Sequence, residues 1–398
     1  MKLIRTVRIK LTPNQLDGDL LRQTVDLMTK AYNFCCLTGY QNNTKNGIVL
    51  HHLTYSNLRS YLPSQLACSA RMAAVRSLKS LDAKHKKTLR KNKNATKPRC
   101  PQSNRVAIGY DRNSYTIWFE KQQISLLTAN GRLRLPFAMN KYLKDYTSSS
   151  WKSTAATLKI DKKNKFFLNV CFEKEISDTE KNGNYIGIDR GIRRLAVSSN
   201  NKFYSGGKVR KASQKYSNLR SKLQKCGTRS AIRHLCRLRG KEQRFKSDVN
   251  HCISKKILSE LYPGDTIVLE NLSGIRNKRM RKKQRKEVNS WNFYQLEQYL
   301  TYKSEALGVH IEHVDARYTS QRCSKCGHIK RSNRKSQSDF CCKKCGFRLN
   351  ADLNAARNIV LKHLDSKAFY ESRESDRAEV NQPNVRLAFG EQGTSPCL

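Results

Sequence analysis

Two Cys-x-x-Cys pairs constrain the folding of this chain more than any other feature of its sequence. The pairs are Cys323/Cys326 and Cys342/Cys345; a glycine follows each pair, and fifteen residues lie between them. Four thiolates in two tight turns suit a structural zinc ion with tetrahedral coordination, and this spacing is typical of a zinc ribbon. The alternative is four structural cysteines that bind no metal. The sequence therefore predicts a zinc ribbon over residues 317–350.

A further cysteine, Cys341, stands directly beside Cys342 and offers a second register for the ribbon. The spacing and the flanking Phe340 favour Cys342 as the zinc ligand, and the register that uses Cys341 stays open. Cysteines outside the two pairs, such as Cys35 and Cys36, are interpreted as small buried side chains or inert surface thiols.

The charge of the chain points to a polyanionic partner. Its 398 residues include 78 Lys and Arg against 31 Asp and Glu, which gives a formal charge of +47. Such a chain repels itself unless a polyanion neutralises it, which favours nucleic acid as the partner. No apolar run approaches a bilayer span, and the first ten residues lack the apolar core of a signal peptide. We therefore expect a cytoplasmic, nucleoid-associated protein with no membrane partner, in a reducing compartment that leaves cysteines free to bind metal.

Hydrophobic periodicity divides the first 180 residues into strands and a helical insertion. Residues 3–11 alternate between apolar and polar and predict a strand, whereas residues 13–99 are mainly helical, with Leu21 and Val25 on a buried face. The period returns to two over residues 100–180, which predicts antiparallel strands joined by short turns. With residues 1–12, these strands are expected to form a small β-barrel or curled sheet that carries the helical block.

The second part of the chain has the order of elements of an RNase H-like fold. A strand is predicted at Tyr185–Asp189, followed by a hairpin, and a later buried strand ends at Glu270. We assign this nuclease-like domain to residues 181–316 and 351–364, with the zinc ribbon inserted between the two parts. The tail at 365–398 has few periodic apolar residues and is predicted to be disordered. The fold class is thus multidomain α+β.

Three acidic residues stand at the ends of these elements, in a chain that has few acids. Asp189 and Glu270 end strands, and Asp352 opens a helix immediately after the ribbon. Clustered carboxylates bind Mg²⁺, and two such ions (Mn²⁺ being a substitute) can promote phosphodiester hydrolysis. The alternative is that each acid is an ordinary turn residue, and that Asp352 only caps its helix. A basic loop at Arg276–Lys286 adds expected contacts to nucleic acid, from Lys278, Arg279, Arg281, Lys282 and Lys283.

Together these segments resemble the TnpB family, transposon-encoded RNA-guided nucleases that are related to type V CRISPR effectors. The resemblance covers about residues 181–363, and its motifs are GIDRGIRRLAV with Asp189, IVLENLSGI with Glu270, YTSQRCSKCG, FCCKKCG, and DLNAARNI with Asp352. The first 180 residues match only in architecture, which is similar to the family's β-barrel wedge domain (1–12 and 100–180) with a helical recognition domain (13–99). The nuclease domain would then be RuvC-like.

The resemblance implies a prokaryotic RNA-guided DNA endonuclease. A guide RNA from the transposon end would bind one protein chain, and double-stranded target DNA would be read by base pairing next to a short flanking motif. Asp189, Glu270 and Asp352 would be the catalytic magnesium ligands, and the four paired cysteines would hold structural zinc. Three alternatives stay open: a miniature type V CRISPR effector, a guide-dependent DNA-binding regulator that does not cleave, and a transposase that joins strands.

Overall fold

The computed structural model describes residues 2–161, 163–277, 279, 281–290 and 292–380 of the chain. The chain divides into two compact units, the first ending at Ser177 and the second beginning at Asp178. This division lies close to the boundary that the sequence predicts at residue 180. Within the described residues, no helix combines the length and apolar character that a membrane crossing requires.

The first unit combines antiparallel strands with three long helices. Its described strands are β1 (Lys2–Leu11), β2 (Ile108–Tyr110), β3 (Tyr115–Trp118), β4 (Gln123–Thr128), β5 (Gly131–Pro136), β6 (Lys152–Ile160) and β7 (Phe166–Glu175). Its described helices are α1 (Gln15–Gln41), α2 (Gly47–Arg59), α3 (Ser64–Leu89) and the short α4 (Lys141–Lys144). The helical block thus follows β1 and precedes the other strands. This is the arrangement that the change in hydrophobic periodicity along the sequence predicts.

The strands of the first unit form two open sheets and not a closed barrel. One sheet has the order β1-β7-β6-β2, and the other has the order β3-β4-β5. Among the described residues, an isolated bridge between Leu11 and Phe137 links the end of β1 to the residue that follows β5. The predicted barrel is therefore a pair of linked sheets. Alternation identifies strands and their buried faces, but closure depends on pairing between distant strands.

One apolar core joins the helices and sheets of the first unit. Leu21, Val25 and Met28 of α1 are almost fully buried, as the periodicity of this segment predicts. They belong to the same hydrophobic cluster as Leu66 of α3 and Phe172 of β7. The helical block is therefore part of the fold of this unit.

The second unit is built on a mixed sheet flanked by helices. Its described strands are β8 (Tyr185–Asp189), β9 (Arg194–Ser198), β10 (Lys202–Ser205), β11 (Thr266–Asn271), β12 (His310–Asp315), β13 (Asp339–Cys341) and β14 (Arg348–Asn350). Its described helices are α5 (Gly207–Cys226), α6 (Arg229–Leu238), α7 (Lys241–Leu258), α8 (Lys282–Ser290), α9 (Phe293–Leu307) and α10 (Ala351–Val380). The main sheet has the order β10-β9-β8-β11-β12, in which β8, β11 and β12 are parallel and β8, β9 and β10 are antiparallel.

Helix α10 packs against strand β8 at an unusually short distance. A Cβ atom built on Gly187 would lie 2.1 Å from the backbone carbonyl oxygen of Ala356 and 2.9 Å from a methyl carbon of Val360. Only glycine leaves room for this approach of helix to strand. The contact places the start of α10 near the end of β8.

Two segments differ from their predicted structure. The basic loop predicted at Arg276–Lys286 contains the start of α8, which begins at Lys282, because Lys, Gln, Arg and Glu favour helix even without an apolar stripe. Helix α10 continues through Val380, so residues 365–380 of the predicted disordered tail are helical; this stretch contains neither Gly nor Pro. The rest of the tail, 381–398, lies outside the described residues.

Replacing Gly187 by alanine should destabilise the protein. The new methyl group meets a backbone oxygen that cannot rotate away, so the free energy of unfolding should fall by about 1–3 kcal/mol or more. Urea denaturation monitored by circular dichroism measures the change. The control is Gly207→Ala at the start of α5, where the nearest atom to a built Cβ is 3.5 Å away. Equal stability of the two variants would contradict the packing argument.

Candidate active site and metal centre

The second unit brings the three predicted acids together at one end of its main sheet. Asp189 is the last residue of β8, and Glu270 lies next to the end of the neighbouring parallel strand β11. Ile188 and Leu269 are paired in the parallel register of these strands. Asp189 follows Ile188 and Glu270 follows Leu269, so the two acids lie at the same end of adjacent strands. Asp352 is the second residue of α10, whose packing on Gly187 carries it to that end.

The electrostatics of Asp189 show that the three carboxylates influence one another. The pKa of Asp189 is raised to about 8, first by burial and then by the negative charges of Glu270 and Asp352. Burial also raises the pKa of Glu270, although a hydrogen bond from the Thr319 hydroxyl opposes this change. Like charges held together out of water are unfavourable without a counter-ion. The cluster therefore fits a divalent cation, which would relieve this repulsion.

Asp352 does not cap its own helix, which leaves its carboxylate available to the site. Asn350 provides the cap, since its Oδ1 accepts from the backbone N–H groups of Asp352 and Leu353, at 3.2 and 3.4 Å. The capping alternative that the sequence leaves open for Asp352 is thus wrong. Its side chain is 17% exposed and faces cations instead.

Two arginines contact Asp352. Arg334 Nη2 donates to Oδ1 at 3.1 Å, and Arg194 Nη1 lies 3.7 Å from Oδ2. Arg334 belongs to the segment between the two cysteine pairs, so the ribbon insertion contributes a side chain to the acidic cluster. Sequence reasoning missed both arginines, because they are two of 78 cations and no local pattern distinguishes them. The only available signal for Arg334 is that the ribbon immediately precedes Asp352.

Two asparagines of α10 attach the start of the ribbon to this helix. Asn354 and Asn358 are fully buried and lie one turn apart. Both donate to the backbone carbonyl of Arg322, at 2.8 and 2.6 Å, and Asn358 also donates to the carbonyl of Thr319 at 2.9 Å. Buried polar side chains need such partners. The asparagines in the DLNAARNI motif therefore position the chain that carries Thr319 and the first cysteine pair.

The four paired cysteines form a compact cluster. Their sulfur atoms all lie within 4.8 Å of one another, with 3.8 Å between Cys323 and Cys345 and 3.6 Å between Cys326 and Cys342. A tetrahedron of sulfurs around zinc, with Zn–S bonds of about 2.3 Å, has edges of about 3.8 Å. Cys341 lies in β13 and is not part of the cluster.

The cluster also favours thiolate at one of its cysteines. Burial opposes ionisation of Cys342, but hydrogen bonds from the backbone N–H groups of Cys345 and Lys344 and from the thiols of Cys326 and Cys345 together outweigh burial and hold its pKa at about 6. The glycines after the pairs, Gly327 and Gly346, have φ values of 74° and 70°, which is the left-handed region that these tight turns require. The donor set therefore fits a tetrahedral zinc ion.

The predicted nucleic-acid residues lie only partly within the described structure. Arg279 and Arg281 are exposed. Lys282 and Lys283 begin α8, and Lys278 lies outside the described residues.

A second basic surface lies on α5, α6 and α7. Residues 207–246 contain fourteen Lys and Arg and a single acid. Arg229, Arg233 and Arg237 are exposed at intervals of four residues, so they share one side of α6, and Lys241 is exposed at the start of α7. Three of them line an open cleft of about 430 Å³ together with His234. Such a row of cations is suited to a phosphate backbone.

Two family models match the chain. One, described as probable transposase, matches residues 169–276, and the other, described as Cas12f1-like, TNB domain, matches residues 293–359. Asp189 and Glu270 lie within the first match. The four paired cysteines and Asp352 lie within the second.

Two named proteins are similar in sequence to this chain over about half of its length or more. The chain is 34% identical over 224 residues to the CRISPR-associated endodeoxyribonuclease Cas12f1 of Sulfoacidibacillus thermotolerans, and the alignment covers 52% of each chain. It is 25% identical over 268 residues to a TnpB-like protein of Methanocaldococcus jannaschii, covering 63% of this chain and 94% of the relative. The chain thus spans about half the length of the Cas12f1 relative.

A solved structure matches over most of the chain. The cryo-EM structure of a Cas12f1–sgRNA–target DNA complex aligns with a TM-score of 0.58 and 18% identity, covering 87% of this chain and 83% of that one. At this identity, the match shows a shared fold.

Replacing Asp189 by asparagine should stabilise the metal-free protein. The folded carboxyl has a pKa of about 8 and the unfolded one is near 3.8, so the folded state binds more protons between these values. The free energy of unfolding of the wild type therefore falls as the pH rises through this window. Asparagine does not titrate, so the variant keeps its stability as the pH rises. We therefore expect its Tm at pH 8 to be higher than that of the wild type by about 4 °C or more.

Thermal melts of the zinc-loaded protein at pH 5 and pH 8, in a buffer free of Mg²⁺ and Mn²⁺, measure this effect. The difference between the variant and the wild type should be larger at pH 8 than at pH 5. A variant that is less stable than the wild type at both pH values would contradict the proposed repulsion among the carboxylates.

Proposed function

Since this chain is a relative of the TnpB and Cas12f proteins, we propose that it is a transposon-encoded, RNA-guided DNA endonuclease. The observation that carries the proposal is the meeting of Asp189, Glu270 and Asp352 at one end of the sheet. The topology supports the finer assignment to an RNase H-like, RuvC-type domain, because an antiparallel meander (β8–β10) is followed by two parallel strands (β11, β12). In this proposal, the first unit corresponds to the wedge and recognition domains.

Magnesium is the proposed cofactor of the acidic cluster. Asp189, Glu270 and Asp352 would hold two Mg²⁺ ions, or Mn²⁺ in their place. When bound, such ions supply activation of the attacking water and stabilisation of the leaving oxygen. The residues of the chain hold the ligands in place: Thr319 orients Glu270, and Arg194 and Arg334 neutralise Asp352. With a divalent cation bound at the acids, both guanidinium groups would be able to contact a phosphate of the bound strand.

The proposed partners are a guide RNA and double-stranded target DNA. The Cas12f1 structure that this chain resembles was solved with an sgRNA and target DNA. Here the charge of +47 and the cationic row on α6 support binding of both nucleic acids. We propose one protein chain per guide RNA, with DNA recognised by base pairing beside a short flanking motif.

A second candidate function is that of a miniature type V CRISPR effector. The 34% identity to a CRISPR-associated endodeoxyribonuclease favours it. The chemistry is the same in both cases, and only the source of the guide RNA differs. Sequencing the RNA that copurifies with the protein separates the two, since a transposon end and a repeat array give different guides.

Cleavage by the protein bound to its copurified RNA tests the proposed function. With Mg²⁺, it should cut a plasmid that carries a sequence complementary to the guide beside a randomised flanking segment. Asp189→Ala should reduce cutting to background because a metal ligand is lost, while RNA binding, measured by filter retention, stays unchanged. The matched control is Asp315→Ala, which removes the same charge from an exposed position at the same end of the sheet. Full cleavage by Asp189→Ala would refute the assignment; guide-dependent binding without cleavage in the wild type would favour the regulator.

Adjacent cysteines allow a matched test of the zinc site. The wild type should contain one equivalent of zinc, measured by plasma mass spectrometry. Cys342→Ser should lose that zinc and lower the Tm, because three thiolates bind zinc less tightly than four and the ribbon is stabilised by its metal. Cys341→Ser should retain the zinc. The opposite result, with loss of zinc only in Cys341→Ser, would show that the register is swapped.

A further inference from the structure

A completely buried arginine lies directly behind the acidic cluster. The side chain of Arg190, the residue after Asp189, is 0% exposed. Its Nη2 donates to the backbone carbonyl oxygen of Glu270, and its Nη1 forms an ion pair with the carboxylate of Glu297. The side chain that follows the first acid therefore holds the backbone of the second.

Glu297 connects this arginine to two further elements. It projects from α9 and is 21% exposed, and its other oxygen accepts from His313 Nε2 of β12 at 3.0 Å. One cation and one anion thus link β8, β11, α9 and β12.

A buried guanidinium is costly unless it is paired, and here it has competing partners. The charge of Arg190 lowers the pKa of both Asp189 and Glu270, against the larger effect of burial, so it acts on both carboxylates. An arginine that paired with either acid would occupy the oxygens needed by a cation. The ion pair with Glu297 gives the guanidinium a partner away from the acids.

We propose that Arg190 and Glu297 form a positioning pair for the metal ligands. Arg190 sets the place of Glu270 relative to Asp189 through the carbonyl of Glu270. Glu297 keeps the guanidinium turned away, so that it does not neutralise the carboxylates in place of the metal. The inference rests on the proposed function in one respect, since it takes the three acids to be the divalent-metal ligands.

Glu297→Gln tests the role of the glutamate. Mg²⁺ binding to the zinc-loaded protein is measured by calorimetry and by the increase in Tm that Mg²⁺ produces, with Asp189→Ala identifying the signal of this site. Glu297→Gln should weaken Mg²⁺ binding about tenfold, a difference of about 1.4 kcal/mol. The matched control is Glu242→Gln, which removes the same charge from ion pairs with Arg220 and Lys246 in the same unit. Equal Mg²⁺ affinity of Glu297→Gln and the wild type would overturn the proposal.

A second substitution distinguishes positioning from general stability. Adding Arg190→Met to Glu297→Gln removes the unpaired guanidinium, so the double variant should bind Mg²⁺ more tightly than Glu297→Gln does, but less tightly than the wild type, because Arg190 no longer positions Glu270. Cleavage at saturating Mg²⁺ should stay at least about tenfold slower than in the wild type, because the hydrogen bond from Arg190 to the Glu270 carbonyl is lost. A merely structural role predicts instead that the double variant binds Mg²⁺ no better than Glu297→Gln. Glu297→Asp, which retains the charge, should keep near-normal affinity and serves if the Gln variant does not fold.

The metal titrations separate failure of this inference from failure of the proposed function. If the wild type binds Mg²⁺ at the acids and cleaves no DNA, the positioning pair stands and the nuclease assignment fails. If the wild type cleaves DNA and Glu297→Gln binds Mg²⁺ normally, the pair fails and the nuclease stands. Absence of Mg²⁺ binding at the acids in the wild type would overturn both.

Discussion

The close approach of α10 to β8 at Gly187 is the contact on which the candidate site depends. Asp189 and Glu270 are neighbours because their strands are parallel and paired. Asp352, however, comes from a helix more than 160 residues after Asp189 in the chain. It reaches them because a hydrogen in place of a side chain lets the helix backbone lie against the strand. A weaker packing would separate the third carboxylate from the other two and remove the reason for their shared electrostatics.

Within a strongly cationic protein, this site is a local concentration of negative charge. Its carboxylates are partly buried and repel one another, which opposes stability in the absence of a counter-ion. Three nearby arginines form ion pairs: Arg334 and Arg194 with Asp352, and Arg190 with Glu297. Arg334 and Arg190 lower the pKa of Asp189, but burial and the charges of Glu270 and Asp352 outweigh them and raise this pKa to about 8. The remaining negative charge is therefore concentrated where a divalent ion would need it.

Sequence reasoning located the acids and the cysteine pairs because strand ends and knuckle spacing are local signals. Strand bounds such as Tyr185–Asp189 were predicted correctly, and the resemblance to TnpB is confirmed by both family models and by the named relatives. Arg334, Arg190 and Asn350 could not be found in this way, since their importance arises only from tertiary contacts. Whether the strands of the first unit close into a barrel likewise depends on pairing between strands that are distant in the sequence. The helix that begins at Lys282 has residues of high helix propensity but no hydrophobic periodicity by which to predict it.

The cysteine cluster and the acidic cluster are connected through the ribbon. The four sulfurs close the ribbon, and its segment between the cysteine pairs carries Arg334 to Asp352. Asn354 and Asn358 attach the start of the ribbon to α10, the helix that bears Asp352. Two constraints therefore act on the ribbon: the cysteine cluster closes it, and the buried hydrogen bonds of Asn354 and Asn358 fix its start to α10. Loss of the cysteine cluster would leave the segment that carries Arg334 less constrained, and a less constrained segment defines the position of its side chain less well. The ribbon therefore affects the chemistry of a site that none of its cysteines touches.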